Sequence, residues 1–328
     1  MRKVAWVAGV VVLAIVLFLV CSCSGVRAQA SADGLGRRAR GEGVAICACV
    51  RHPMEFDTWL RHHFSIGVRR IFLRVEESPE VFEIIKTLPP EQRQRVHAFA
   101  ATSTDSTGSQ WWSLQKRQAE FCRLVKKQCL EHYDDVTWIL QNLDDDELLH
   151  CADKSIEDFL RRVPPDKRAV FVNTVEALYP DASKDDERCF RTDTFVKCDS
   201  RKLCTSYYGG KSLGLLTDDL EPSGPHQFKG MGWSGTRSPE CYKPSIDEIA
   251  VLHHESCNYR RWREKFKNLI VGGNGRKIPE GFTFYNKSLE MASRDDDEAL
   301  QYYESVKVSP YRKHTPANKD TRAAPYIV

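Results

Sequence analysis

VTWILQNLDDDELLH, residues 136–150, sets four consecutive acids between two apolar stretches. Trp138, Ile139, Leu140 and Leu143 read as a buried strand over 136–143, and Leu148 and Leu149 resume the apolar character at once. Carboxylates so close repel one another, and burying them unpaired is costly. Asp144–Glu147 therefore calls for something positive beside it.

The residues upstream supply the frame. VAICACV (44–50), IFLRV (71–75) and VHAFA (96–100) read as strands, and segments around 55–65, 79–88 and 110–131 read as helices. Such alternation over about 100 residues predicts an α/β fold with a mostly parallel sheet covered on both faces. Ligands of open sheets bind outside the carboxyl ends of the strands, where the acid run falls. Downstream, 153–162 reads as a helix, AVFVNTVEAL (169–178) and IDEIAVLHH (246–254) as strands, and 258–269 as a basic helix. Residues 179–201 and 221–244 read as irregular, and the polar tail after Tyr303 as mobile.

The 328 residues are 41% hydrophobic and 28% charged, which excludes a mainly disordered chain. A net charge of +3 without a dense basic patch gives no support for nucleic-acid binding. After Arg2 and Lys3, Val4 to Val26 run for 23 residues without a charge, long enough to cross a bilayer. The expectation is a signal-anchor over 1–23 and a flexible stem over 24–43; cleavage near Ala28-Gln29-Ala30 is the alternative. Either delivers the rest of the chain to the secretory lumen. The 12 cysteines fit that compartment, with disulfides expected among Cys189, Cys198 and Cys204 and free buried thiols at Cys47 and Cys49. Asn286-Lys287-Ser288 is a sequon for glycosylation there.

The acid run lacks the spacing of an EF-hand. Asp185–Glu187 and Asp295–Glu298 stand in polar surroundings and read as solvated turns. Position at the end of a buried strand separates Asp144–Glu147 from them. If strand geometry continues, Asp144 and Asp146 point the same way and can hold Mn²⁺ or Mg²⁺ while leaving room for phosphate oxygens.

VRHPMEFDTWLRHHFSIGVRRIFLRVEES (50–78), Gln118 and Cys122, Trp138, the acid run, Gly210-Lys211-Ser212 and HHESCNYRRWREKF (253–266) together resemble glycosyltransferases of the GT-A fold, especially family 92 and its family 2-like relatives. His52-Pro53 and Glu76-Glu77 depart from that pattern, where the group has Asn-Glu and Asp-Asn. The resemblance implies a single Rossmann-like GT-A catalytic domain over 44–270 with a C-terminal extension over 271–328. It implies a nucleotide-sugar donor, UDP-galactose first, and a glycan or glycoprotein hydroxyl as acceptor, with inversion. Asp144 and Asp146 would hold the metal with His253, His254 and His226 being its rivals. Arg51, Glu76 and Asp144 would face the nucleotide, and Lys211 and Lys265 the diphosphate. A carboxylate before the acceptor loop would act as base: Asp219 first, then Asp218 and Glu221. Trp233 could stack on a sugar. The expected setting is a single-pass type II membrane protein of the Golgi or another secretory compartment. Two other classes use the same residues: a lumenal carbohydrate-binding or scaffolding protein without turnover, and a metal-dependent phosphodiesterase, which needs further clustered ligands. Each single histidine, lysine or acid also has a structural alternative as an ordinary core or solvated residue.

Overall fold

β1 (Val44–Val50) shows why the apolar runs carry no alternation. Val44, Ile46, Ala48 and Val50 enter one core while Ala45 and Cys47 enter another, so both faces are buried. The first core takes Phe56, Trp59, Leu60 and Phe64 of helix α1 (Phe56–Ser65); the second takes Phe121, Cys122 and Val125 from the opposite side. The computed structural model describes residues 42–102, 110–182, 188–197, 209–230, 238–271 and 283–310. The anchor, the stem up to residue 41, Cys198, Cys204, Asp185–Glu187 and Trp233 lie outside the described residues. No helix among the described residues is long and apolar enough to cross a membrane.

In chain order there follow β2 (Arg70–Glu76), α2 (Glu80–Thr87), the short α3 (Pro90–Arg93), β3 (Val96–Ala101), α4 (Gln110–His132), β4 (Trp138–Leu140), β5 (Glu147–Cys151), α5 (Ile156–Arg162), β6 (Ala169–Val172) and β7 (Thr174–Ala177). Then come β8 (Phe195–Lys197), β9 (Lys211–Leu215), β10 (Pro222–Ser223), β11 (Gln227–Phe228), β12 (Cys241–Tyr242), β13 (Ile249–His253), α6 (Tyr259–Val271), α7 (Thr283–Ala292), α8 (Asp296–Tyr303) and a π-helical turn (Glu304–Val308).

The large sheet has the order β12-β6-β9-β4-β1-β2-β3, parallel except for β9. Its β3-β2-β1-β4 half follows the order of a doubly wound fold, whose switch point lies between β1 and β4. This mixed architecture is compatible with a Rossmann-like plan. A second sheet, β5-β13-β7-β8, stands beside it. The expected strand over 169–178 is in fact two, since the chain leaves one sheet and joins the other at Asn173. β9 was not evident in the sequence. It inserts where β6 and β9 run so close that a Cβ on Gly210 would come 1.8 Å from the carbonyl oxygen of Val172.

The C-terminal segment departs most from expectation. α6, α7 and α8 share a core of Trp262, Phe266, Ala292, Ala299 and Tyr303, and residues 304–308 continue it with Val308. Asp295 caps α8 by accepting from the backbone N–H of Glu298, which explains that acidic run as helix-start chemistry. The sequon lies inside α7, where Ser288 is buried and its hydroxyl accepts from Trp262 Nε1 at 3.1 Å. That is a packing position, against the exposed loop expected of a glycosylation acceptor.

Candidate active site

The strand expected over 136–143 ends at Leu140, and a turn hands the chain from the large sheet to β5 at Glu147. The acids therefore radiate from a turn, and Asp144 and Asp146 take different nearest partners. Lys211, fully buried at the start of β9, lies 2.8 Å from Asp144 Oδ2 and 3.0 Å from Glu147 Oε2 and donates to the carbonyl of Asn142. Burial alone would lower the lysine's pKa, but the two carboxylates raise it above its ordinary value. Gln118 Nε2 donates to Asp144 Oδ1 at 3.3 Å, and the backbone N–H of Asp144 donates to Glu147 Oε2 at 2.7 Å. Trp59 Nε1 holds the turn from beneath, donating to the carbonyls of Asp144 and Glu147 at 3.1 and 2.8 Å.

Asp145 and Asp146 face the other way, toward β13 and α6. Asp146 Oδ1 is 3.7 Å from His253 Nε2, and His253 Nδ1 bonds Glu176 Oε1 at 2.9 Å. Sheet register makes this row: Glu147 of β5, His253 of β13 and Glu176 of β7 are direct cross-strand neighbours. Burial works against charge on His253, but Glu176 first and Asp146 next raise its pKa to about 9. Burial likewise opposes the Asp146 carboxylate, yet His253, Lys265 and Arg261 hold it at about 2. Asp145 behaves oppositely: burial raises it to about 7, partly opposed by Arg261 at 3.6 Å. Its Oδ2 is buried without a hydrogen bond among the described residues.

α6 brings two cations to this side, four residues apart on one helix face. Arg261 reaches Asp145 and also donates to the carbonyl of His52 at 2.9 Å, and Lys265 pairs with the buried Glu255, on which Tyr285 also closes at 3.0 and 3.1 Å. The disulfide Cys189–Cys257, with Cα atoms 5.0 Å apart, fastens residues 188–190 to the start of α6. Cys189 was expected to bond, but to Cys198 or Cys204; its partner is Cys257. Cys47 and Cys49 are free thiols as expected, Cys47 buried and Cys49 only half-buried.

Backbone strain marks the same rim. Among the described residues, His52, Glu55, Glu77, Asn142 and Ser256 are the non-glycine residues with left-handed φ, between 44° and 57°. Each lies just beyond the carboxyl end of β1, β2, β4 or β13. Such conformations cost on the order of 1–3 kcal/mol each and cluster at functional sites.

The remaining expected residues separate. Arg51 sits at the rim of β1, exposed and 2.8 Å from Glu77. Glu76 is buried, and its carboxylate is held by Arg117 at 2.6 and 2.9 Å and Arg74 at 2.8 Å. His254 is turned between the rings of Phe190 and Phe195, and burial, then His253, lowers its pKa to about 3. His226 is close enough to Lys211 and His253 for both, after burial, to lower its pKa. Asp218 and Asp219 are at the far end: β9 is antiparallel, and Leu215 pairs with Trp138 at the start of β4. There Asp219 is exposed and 2.6 Å from Arg168, whereas Glu221 lies where the chain turns back into β10, 2.5 Å from Arg123 of α4. Asp219, the first expected base, is therefore away from the acid turn. Among the described residues no group of three His, Cys, Asp or Glu side chains is arranged around one point as a metal cage.

Glu147, Glu176, Glu255, Arg261 and Lys307 had not been singled out individually. The usable signal was an ionisable residue inside an apolar run: Glu176 in AVFVNTVEAL and Lys307 between Val306 and Val308.

No family model matches the chain. A curated protein of Arabidopsis thaliana described as glycosyltransferase-like is 27% identical over 234 residues, which are 60% of this chain and 49% of that protein. The chain thus spans about half the length of that relative. Crystal structures of HddC from Yersinia pseudotuberculosis, one complexed with GMP-PN, match at 11% identity and a TM-score of 0.30, covering 76% of this chain and 98% of theirs. The likeness is thus to a glycosyltransferase-like protein.

Proposed function

We propose that the chain transfers a sugar, galactose being the first candidate, from a UDP-linked nucleotide sugar to a glycan or glycoprotein hydroxyl in the secretory lumen, with inversion and with a divalent cation at the acid turn. The observation that carries this reading is the row Asp146–His253–Glu176 at the carboxyl end of the sheet. A ligating histidine that donates its other ring N–H to a carboxylate is the usual outer support of a metal site. Mn²⁺ and Mg²⁺ are commonly held by one or two protein groups together with substrate phosphates, so a two-donor site fits the chemistry. Asp146 and His253 would hold the cation, the His253 Nε2 that faces Asp146 at 3.7 Å giving up its proton. The cation would neutralise the charge developing on the nucleoside diphosphate as it leaves. Asp144, tied to Lys211, is then a shaping residue of the turn, and Asp146 the direct metal ligand.

Other residues have roles that need no cation. Arg261 and Lys265 present positive charge on the α6 side, suited to a diphosphate that competes for them with Asp145 and Glu255. Trp59 holds the carbonyls of Asp144 and Glu147 on either side of Asp146, which lies 3.7 Å from His253 of β13. The Cys189–Cys257 disulfide suits an oxidising compartment.

The test is a thermal-shift and hydrolysis panel of nucleotide sugars with and without Mn²⁺. The expected result is a Mn²⁺-dependent shift and slow release of the nucleoside diphosphate, reduced at least about 100-fold in Asp146→Asn. Binding without turnover would favour the carbohydrate-binding alternative. No response to any donor, with or without Mn²⁺, overturns the reading.

A further inference from the structure

Lys307 is fully buried, in the π-helical turn that follows α8. Its Nζ lies 3.6 Å from Glu176 Oε2, while the other oxygen of that carboxylate accepts His253 Nδ1 at 2.9 Å. Glu176 thus divides its two oxygens between a lysine from the C-terminal segment and the histidine of β13. The segment is pinned where this happens. The Tyr179 N–H donates to the Lys307 carbonyl at 3.2 Å, and Tyr303 donates to the Ser256 carbonyl at 2.9 Å.

A buried lysine–carboxylate pair contributes little net stability, because desolvating both charges offsets their attraction; an apolar pair of similar volume is often as stable or more so. Retaining it calls for another reason. Here the pair borders a histidine that faces Glu176 on one side, at 2.9 Å, and Asp146 on the other, at 3.7 Å. We propose that Lys307 is a positioning residue that holds Glu176, and through it His253, in the orientation the divalent-cation site requires, making the C-terminal helical segment an integral part of that site. This rests on the reading of Asp146 and His253 as cation ligands.

The experiment is Mn²⁺ titration of the full chain, followed by the electron paramagnetic resonance of free Mn²⁺, for wild type, Lys307→Met, Glu176→Gln and the double variant. Thermal unfolding of each metal-free protein is recorded in parallel. Loss of an outer-shell partner weakens metal binding about 10–100-fold, and each single substitution is expected to raise the Mn²⁺ Kd by that factor. Because Lys307 acts through Glu176, the double variant should bind no more weakly than the weaker single variant. Its buried pair is removed as a unit, so it also serves if Lys307→Met alone fails to fold. Lys307→Met, or the double variant, binding Mn²⁺ as wild type does would overturn the inference and leave the cation site standing. So would effects that multiply in full. Wild type that binds no Mn²⁺ would overturn the cation site itself, and the inference with it.

Discussion

Lys211 shows how one residue answers the charge of an entire turn. It is buried beneath Asp144 and Glu147, and Glu147 is as inaccessible as the lysine. Removing one member of a buried pair leaves the other charges uncompensated, at a cost of about 3–5 kcal/mol. Lys211→Met should therefore lower the urea midpoint by that equivalent with an unchanged slope; a loss under about 1 kcal/mol would show that solvent already screens the pair. His63 gives a second residue-level expectation. Its Nδ1 donates to the Trp59 carbonyl at 2.8 Å and its Nε2 accepts the Leu149 N–H at 3.2 Å, so the ring must be neutral. Burial, then His62, depresses its pKa well below 6.5, and the unfolded chain binds the proton first. Its contribution is complete above pH 6.5 and is lost as pH falls below that, by about 1 kcal/mol at pH 5.5. Unfolding curves at pH 7.5 and 5.5 should show a loss, and His63→Gln should make it smaller, His62, His226 and His254, also depressed by burial, supplying the rest.

Elements decide where these residues meet. The alternating texture of residues 44–143 was legible because both faces of β1 and β2 are buried, which removes polar residues from whole runs. β9 was not legible. Five residues with a glycine, a serine and a lysine carry no strand pattern, and they become a strand only because β4 and β6 leave a slot for them. Gly210 is the condition for that slot. Gly210→Ala should displace β9 from β6 and with it Lys211 from the acids. We expect a loss of about 1–3 kcal/mol, the usual cost of a forced backbone shift, together with impaired Mn²⁺ binding. Circular dichroism and the titration described above check both; unchanged values would mean the strand can yield without moving Lys211. The reversal of β9 also explains the misplaced base. Asp218, Asp219 and Glu221 follow a strand that runs against its neighbours, a direction no local pattern encodes.

At the scale of the whole molecule, two links tie distant chain segments to the site. The Cys189–Cys257 disulfide closes a loop of 68 residues, which in the chain-entropy account stabilises the fold by about 4 kcal/mol. Mild reduction should lower the melting temperature markedly, whereas Cys47→Ser in the oxidised protein should not abolish that dependence on reductant. An unchanged melting temperature under reductant would show that the bond adds nothing. The C-terminal helices form the other link, through Tyr285 to Glu255 and Lys307 to Glu176. The sequence by itself determined the α/β alternation, the burial of the acids at the end of β4 and the need for positive charge beside them. These follow from local hydrophobic pattern and from the cost of like charges in a dry place. Only the tertiary structure decided which cations answer: Lys211, Arg261 and His253 lie 67, 116 and 107 residues beyond Asp144, Asp145 and Asp146. Strand direction and sheet register bring them in, and both are set by contacts between segments that carry no trace of one another in their own composition.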